Sequence, residues 1–268
     1  MQISWNIFSA LFDNWKLVFR LAKRDILSRY RGSMLGVLWA AFAPLGQLSA
    51  YVFAFSVVFK VHWATGQSNS GGMALNIFLG LIVFNLFAEM FNRAPTLLLE
   101  NVSYIKKVVF PLEVMVWVAS FSTCFNALIS FVILLAAMLL AGHPLHWTIF
   151  LLPFVISPLF FFALGCGWLL SALGVFLRDL RHAVALISMM LMFMSPLFYS
   201  LRAVPEKYRF YVGLNPIAPA IDSARGVLFA GVMPDLLDTG VRLMVGVLFA
   251  MLSLHIFHKL KVAFSDVV

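Results

Sequence analysis

Charge is what this sequence has least of. Asp and Glu together number 11 in 268 residues, and charged residues of both signs make up 11% of the chain. Soluble domains average about 25%. Apolar residues reach 63%, and the mean hydropathy is +0.98. A water-soluble fold of this size exposes too much surface to manage with so few charges, so that class is excluded. Cysteine is scarce as well: Cys124 and Cys166 both lie inside apolar runs. There they read as small buried hydrophobes, neither a disulfide framework nor a thiolate metal site. His143 and His146 flank a turn, and His255 and His258 fall near a helix end, with no metal-ligand spacing among them. Neither paired carboxylates nor a Ser-His-Asp set can be assembled. The nearest approach to a phosphate-binding loop, "GQSNSGGM" (66–73), has Gly72 and Met73 where Lys and Ser or Thr are required. No secretory signal peptide is expected, because no short apolar core with a small-residue cleavage site opens the chain.

What the sequence does have is long uncharged runs. A bilayer-crossing helix needs about 20 predominantly apolar residues. The runs give six expected spans, near 34–59, 74–94, 113–140, 148–177, 183–201 and 236–258. The third and fourth are divided by "AGHPLHW" (141–147). The sixth is the weakest, because only 243–258 is free of charge; Asp238 and Arg242 share one face at its start. The expected fold class is therefore an all-α integral membrane protein forming one domain. Cations orient it. Lys16, Arg20, Lys23, Arg24, Arg29 and Arg31 precede the first span, Lys106 and Lys107 lie in the 95–112 loop, Arg178 and Arg181 in the 178–182 loop, and Lys259 and Lys261 in the tail. These segments share one side, so both termini are expected in the cytoplasm.

Residues 11–31 read as an amphipathic helix in the headgroup plane, held by membrane lipid. Leu11, Trp15, Val18, Phe19, Ala22, Ile26 and Tyr30 form its apolar face, and Gly32 to Gly36 a hinge into the first span. Residues 202–233 carry Pro205, Pro216 and Pro219 and are interrupted by Asp222 and Arg225. A segment so broken cannot span. At membrane depth such backbone survives only when buried in protein or lining a wet cavity, which predicts a hairpin of half-helices. Glu89 is the one carboxylate well inside a span, and Arg93, four residues on, is its expected partner.

Four stretches, in order and spacing, resemble the membrane subunits of ABC-type polysaccharide exporters, which move O-antigen, capsule or teichoic acid chains. They are "RYRGSMLGVLWA" (29–40), "LLENVSYIKKVVFPLEV" (98–114), "GVFLRDLRH" (174–182) and "SPLFYSLRAVPEKYRFYVGLNPIAPAIDSARGVLFAG" (195–231). The resemblance runs almost end to end. It implies a homodimeric channel for a lipid-linked polysaccharide in a bacterial inner membrane. Two copies of a separate ATPase subunit would bind ATP and Mg, with no cofactor on this chain and no nucleic-acid partner. It also implies coupling to that ATPase through Arg29, Arg31, Asn101, Tyr104, Lys106 and Lys107, with Arg178, Asp179 and Arg181 in a second cytoplasmic loop. The hairpin, with Asn215, Pro216, Asp222 and Arg225, becomes a periplasmic gate. Sugar rings stack their C–H faces on aromatic side chains, which makes Trp39, Phe42, Tyr51, Phe55, Phe193, Phe198 and Tyr199 the candidate channel wall. An exporter of a drug or small lipid is a nearby alternative. A membrane-embedded glycosyl or acyl transferase would need convergent acids or histidines, and an ion-coupled transporter ionisable residues at midplane.

Overall fold

A computed structural model describes residues 11–58, 70–105, 110–199, 201, 204–213 and 215–264, and every regular element among them is helical. Helix α1 is Trp15–Arg29, α2 Trp39–Val52, α3 Ser70–Leu97, α4 Val102–Ile105 and α5 Val114–Leu140. Then follow α6 Leu152–Phe176, α7 Leu180–Met194, α8 Glu206–Gly213, α9 Ile217–Arg225 and α10 Leu236–Lys261. Five stretches are long and apolar enough to cross a membrane: Gly36–Phe55, Gly72–Leu97, Val114–Leu140, Trp147–Phe176 and Leu236–Lys261. The first of them opens with a 3-10 turn at Gly36–Leu38, and a π-helical turn begins at Phe53.

Local chemistry sets the helix ends. Gly142, at φ +73°, closes α5 in a Schellman arrangement, with His143 N donating to the Met138 carbonyl and Gly142 N to that of Leu139. Asp235 caps α10, its carboxylate accepting from the backbone N–H groups of Leu237 and Asp238 at 2.9 and 3.1 Å. The apolar stretch expected to cross at 183–201 forms the shorter α7, 15 residues ending at Met194. At 1.5 Å per residue that is about 22 Å, less than the ~30 Å hydrocarbon core. The cause is Pro196, which disfavours the α conformation at Ser195; that residue is extended, at ψ 145°.

α3 lies at the centre, with Ile77, Phe78, Leu79, Val83, Phe87 and Leu97 almost wholly enclosed. Its main neighbours are α5, α6 and α7, while α10 lies along the far side of α6. A ladder of rings crosses the bundle: Phe87 on α3 to Phe162 on α6 at 6.1 Å, then Phe162 to Phe249 on α10 at 4.8 Å. In lipid, apolar burial gives helices little reason to associate, so close approach of small residues matters more. A Cβ added at Gly246 would lie 2.7 Å from the Pro158 carbonyl oxygen, and one at Gly174 would overlap the Pro95 carbonyl outright. Gly174→Ala is therefore expected to force α3 and α6 apart and cost about 1–3 kcal/mol or more. A thermal melt of the detergent-solubilised protein checks this; an unaltered midpoint would mean that the two helices slide freely at this crossing.

The bundle has two chemically distinct ends. At the first, Lys261 on α10 donates to Glu113 Oε2 at 2.7 Å, and Trp168 Nε1 on α6 donates to the Glu113 carbonyl at 3.1 Å. The second end gathers the start of α3, the α5–α6 turn, the end of α7, and α9.

Candidate functional site

At the first end, α1 packs along α5 through its buried Val18 and Ala22. Its polar edge enters an ion-pair cluster. Arg93 on α3 forks onto Asp25, Nη1 to Oδ2 at 2.7 Å and Nη2 to Oδ1 at 2.5 Å, and Ser122 Oγ on α5 donates to Asp25 Oδ2 at 2.7 Å. Arg29 donates to Glu89 and reaches Asp25 at 3.4 Å, while Asn126 Nδ2 donates to both oxygens of Glu89 at 3.1 and 3.2 Å. Glu89 and Arg93 thus do not pair with each other as their spacing suggested: each takes its partner from α1. The physical reason is geometric. A pair on one helix face is worth about 0.2–0.5 kcal/mol, whereas a bidentate Arg–carboxylate fork is much stronger. Burial opposes ionisation of Asp25, but the hydrogen bonds from Arg93 and Ser122 and the charges of Arg93 and Arg29 outweigh it. Its carboxyl is held below the usual carboxylate range.

The cluster continues toward the 98–114 loop. The Arg24 guanidinium sits 5.8 Å from the centre of the Tyr104 ring, a cation–π distance, and Tyr104 stacks on Phe110 at 4.4 Å. Asn101 Nδ2 donates to the Leu97 carbonyl at 3.0 Å, holding the loop to the end of α3. Lys106 and Lys107 lie outside the described residues. Arg31 is exposed in the turn after α1, where Gly32 at φ +90° and Gly36 at φ +52° take the left-handed backbone that a chain reversal needs. Arg178 and Asp179 are exposed between α6 and α7, and Arg181 is exposed in the first turn of α7, its Nε 3.2 Å from His182 Nε2.

The candidate aromatic wall falls into separate groups. Trp39 and Phe42 are exposed on α2 and meet edge to face at 6.2 Å; Tyr51 and Phe55 stack at 6.2 Å further along. Phe193, Phe198 and Tyr199 lie at the end of α7, where Tyr199 Oη donates to the Met194 carbonyl at 3.1 Å. Among the described residues no ring contact joins the α2 group to these three.

At the second end, Asn215 ties two elements together: its Oδ1 accepts from Ile217 N at 3.0 Å, starting α9, and its Nδ2 donates to Ser195 Oγ at 2.8 Å. Pro216 occupies the cap position just before α9, and Asp222 projects into the open. Arg225 is only 7% exposed and meets four backbone carbonyls. Nη1 donates to Pro196 at 2.6 Å and Tyr199 at 3.4 Å, Nη2 to Leu197 at 2.8 Å, and Nε and Nη2 to Asn76 at 3.3 and 3.2 Å. Burial pulls the Arg225 pKa down to about 10 against the opposing charge of Asp222, so the guanidinium is still a cation at neutral pH. Beyond it, Thr148 Oγ1 donates to the Val227 carbonyl at 2.5 Å, and Gly231, at φ +63°, passes so close to the His146 ring that a Cβ would clash. The apolar side of α9 (Ile217, Ala218, Ile221, Ala224) is fully buried against α3 and α6.

Sequence spacing does not single out Asp25, Ser122 or Asn126: Asp25 is one more charge on the polar edge of α1, and the only signal on α5 is the four-residue step of Ser122, Asn126 and Ser130 in an otherwise apolar helix. Among the described residues no group of three or more His, Cys, Asp or Glu side chains is placed to hold a metal ion.

The family model described as ABC-2 type transporter matches residues 16–229. An O-antigen export system permease protein RfbA of Klebsiella pneumoniae is 26% identical over 259 aligned positions, covering 96% of this chain and 95% of the relative. A second RfbA from that species is 26% identical over 269 positions, covering 100% and 99%. The polysialic acid transport protein KpsM of Escherichia coli is 24% identical over 235 positions, 87% of each chain.

Proposed function

We propose that this chain, which belongs to the ABC-2 type transporter family, is the membrane permease of an ATP-driven exporter of lipid-linked polysaccharide. O-antigen glycan is the first substrate class, with capsule or teichoic acid chains as the alternatives. The observation that carries the reading is similarity without truncation: relatives named for O-antigen export align over 96% and 100% of the chain. In this reading α7 is a sixth crossing, both termini face the cytoplasm of a bacterium, and two copies enclose the path across the inner membrane. Two copies of an ATPase subunit, holding ATP and Mg, dock at the first end on the 98–114 loop and α1. The segment from α8 to Gly231 acts as the gate at the opposite, periplasmic end.

The ion pairs give the coupling a physical route. A push on the loop reaches α1 through Tyr104 and Arg24, and α1 is clamped to α3 and α5 through Arg93, Glu89, Ser122 and Asn126. A transferase has less support, because Asp25, Glu89 and Glu113 are each paired with a cation and do not converge on one another.

Affinity purification from native membranes is expected to retain an ATPase subunit, and deleting the gene to strip the polysaccharide from the cell surface. Reversing the charge at both loop cations, Lys106→Glu with Lys107→Glu, should leave insertion intact and lower export at least tenfold, equivalent to about 1.4 kcal/mol of lost coupling. Transport by the chain alone, with no ATPase retained, would remove the exporter reading. Normal export from the double variant would reduce the loop to a topology signal.

A further inference from the structure

α3 is enclosed around most of its circumference, yet one strip of it is open and polar. Asn85 and Asn92 are exposed and Glu89, between them, is half-buried. Their four- and three-residue steps place all three on one helix face. That face borders a cavity of about 630 Å³ between α2, α3 and α5, whose walls also include Gln47 on α2, Asn126 on α5, and Trp39. The volume lies within the ~300–1,000 Å³ usual for small-molecule clefts.

Much of the hydrogen-bonding capacity here is unused. Gln47 and Asn85 make no side-chain hydrogen bond among the described residues. Asn92 commits its Nδ2 to Ser188 at 2.9 Å and Asn126 its Nδ2 to Glu89, leaving both side-chain carbonyls open. Gln47, Asn85 and Asn126 come from three different helices and lie near the middle of each. Amides left unpaired at that depth are strongly unfavourable against hydrocarbon, so the space they border must hold something polar.

The chemistry narrows the occupant. Glu89 is neutralised by Arg29, so the wall carries little net charge and offers no special attraction to a phosphate or an amine. Amides donate and accept at once, which matches hydroxyl groups that do the same. Trp39, 47% exposed, adds a flat apolar face of the kind the C–H side of a sugar ring stacks on. We propose that this cavity is a hydrogen-bonding station for sugar hydroxyls of the exported chain, inside one subunit at mid-depth. It rests on the polysaccharide reading above and adds Gln47, Asn85, Asn92 and Asn126 to an aromatic wall.

The test uses the full exporter in cells. In a Cys124→Ala, Cys166→Ala background, Asn85→Cys and Gln47→Cys are treated separately with a charged, membrane-impermeant thiosulfonate. Each is measured in cells that build the glycan and in cells that cannot; Ser130→Cys, on the same wall, replaces either variant that fails to reach the membrane. Labelling is expected in glycan-free cells and should slow about fivefold when glycan is made, as mass action gives for a site occupied about four-fifths of the time. No labelling in either strain, or equal rates in both, overturns the station. A disulfide between copies through position 85 also overturns it, because a second subunit would then fill the cavity. Surface polysaccharide restored to a deletion strain by the unsubstituted chain is scored alongside. Failure there removes the exporter reading, whereas restoration with glycan-independent labelling removes only the station.

Discussion

Arg225→Met is expected to lower the thermal midpoint of the purified protein by roughly 10 °C and to expose the α8–α9 segment to protease. Methionine keeps the apolar stem and removes every donor of the guanidinium fork. The Pro196 and Leu197 carbonyls, at 2.6 and 2.8 Å, lose their closest donors, and the weaker contacts to Asn76 and Tyr199 go with them. A buried acceptor left without a partner costs about 1–3 kcal/mol, so two of them imply about 2–6 kcal/mol. For chains of this size each kcal/mol moves the midpoint by about 2–4 °C. Arg225→Lys retains the charge but offers its donors from one point, and it should recover only part of the loss. Unchanged melting and proteolysis for Arg225→Met would mean that water satisfies those carbonyls without help, and that Arg225 does not hold the hairpin.

The second large effect belongs to the cluster on α1. Asp25→Ala should cost about 3 kcal/mol, because it removes both acceptors of the half-buried Arg93 fork and leaves that guanidinium only a 3.9 Å approach to Glu100, while Ser122 falls back on the Val118 carbonyl. The exchange Asp25→Arg with Arg93→Asp should restore part of that, and the double-mutant cycle measures the coupling. The pH dependence has a definite sign. The folded-state pKa of Asp25 is depressed, so its contribution is complete above the unfolded value of about 3.9 and disappears as pH falls through the lower folded value. The stability gap between the parent and Asp25→Asn should therefore be flat from about pH 5 to 8 and close only below about pH 4. A gap that instead opened or closed near neutrality would assign the effect to another titrating group.

The long apolar helices were largely legible because charge is so scarce that its gaps outline them: the stretch from Val114 to Leu177 contains no Asp, Glu, Lys or Arg and yields α5 and α6 around the Gly142 turn. α7 was less so. Hydropathy continues through Leu201, but Pro196 imposes its own backbone preference regardless of polarity, and the helix stops at Met194. Partners were the least legible. Helical spacing ties Glu89 to Arg93 and is silent on Asp25, 68 residues away along the chain. Arg225 stood out in the sequence as an interruption and as part of the expected gate, but its partners did not, because carbonyl acceptors are backbone atoms and leave no trace in residue type. The amides around the cavity leave little sequence signal for a similar reason: they are uncharged and divided among three helices, Gln47 on α2, Asn85 and Asn92 on α3 and Asn126 on α5, and only folding makes them neighbours.

The clamp on α1 bypasses the helix that α1 leads into. Its ion pairs reach across to α3 and a hydrogen bond from Ser122 ties it to α5, while the joint to α2 is a short, doubly left-handed bend around Gly32 and Gly36. α2 itself buries little beyond Ala40, Pro44 and Leu48. The first crossing is thus hung like a door on a fixed jamb. In the proposed exporter, a stroke on α1 would therefore reach α3 and α5 directly and α2 only by way of that bend and its packing against them.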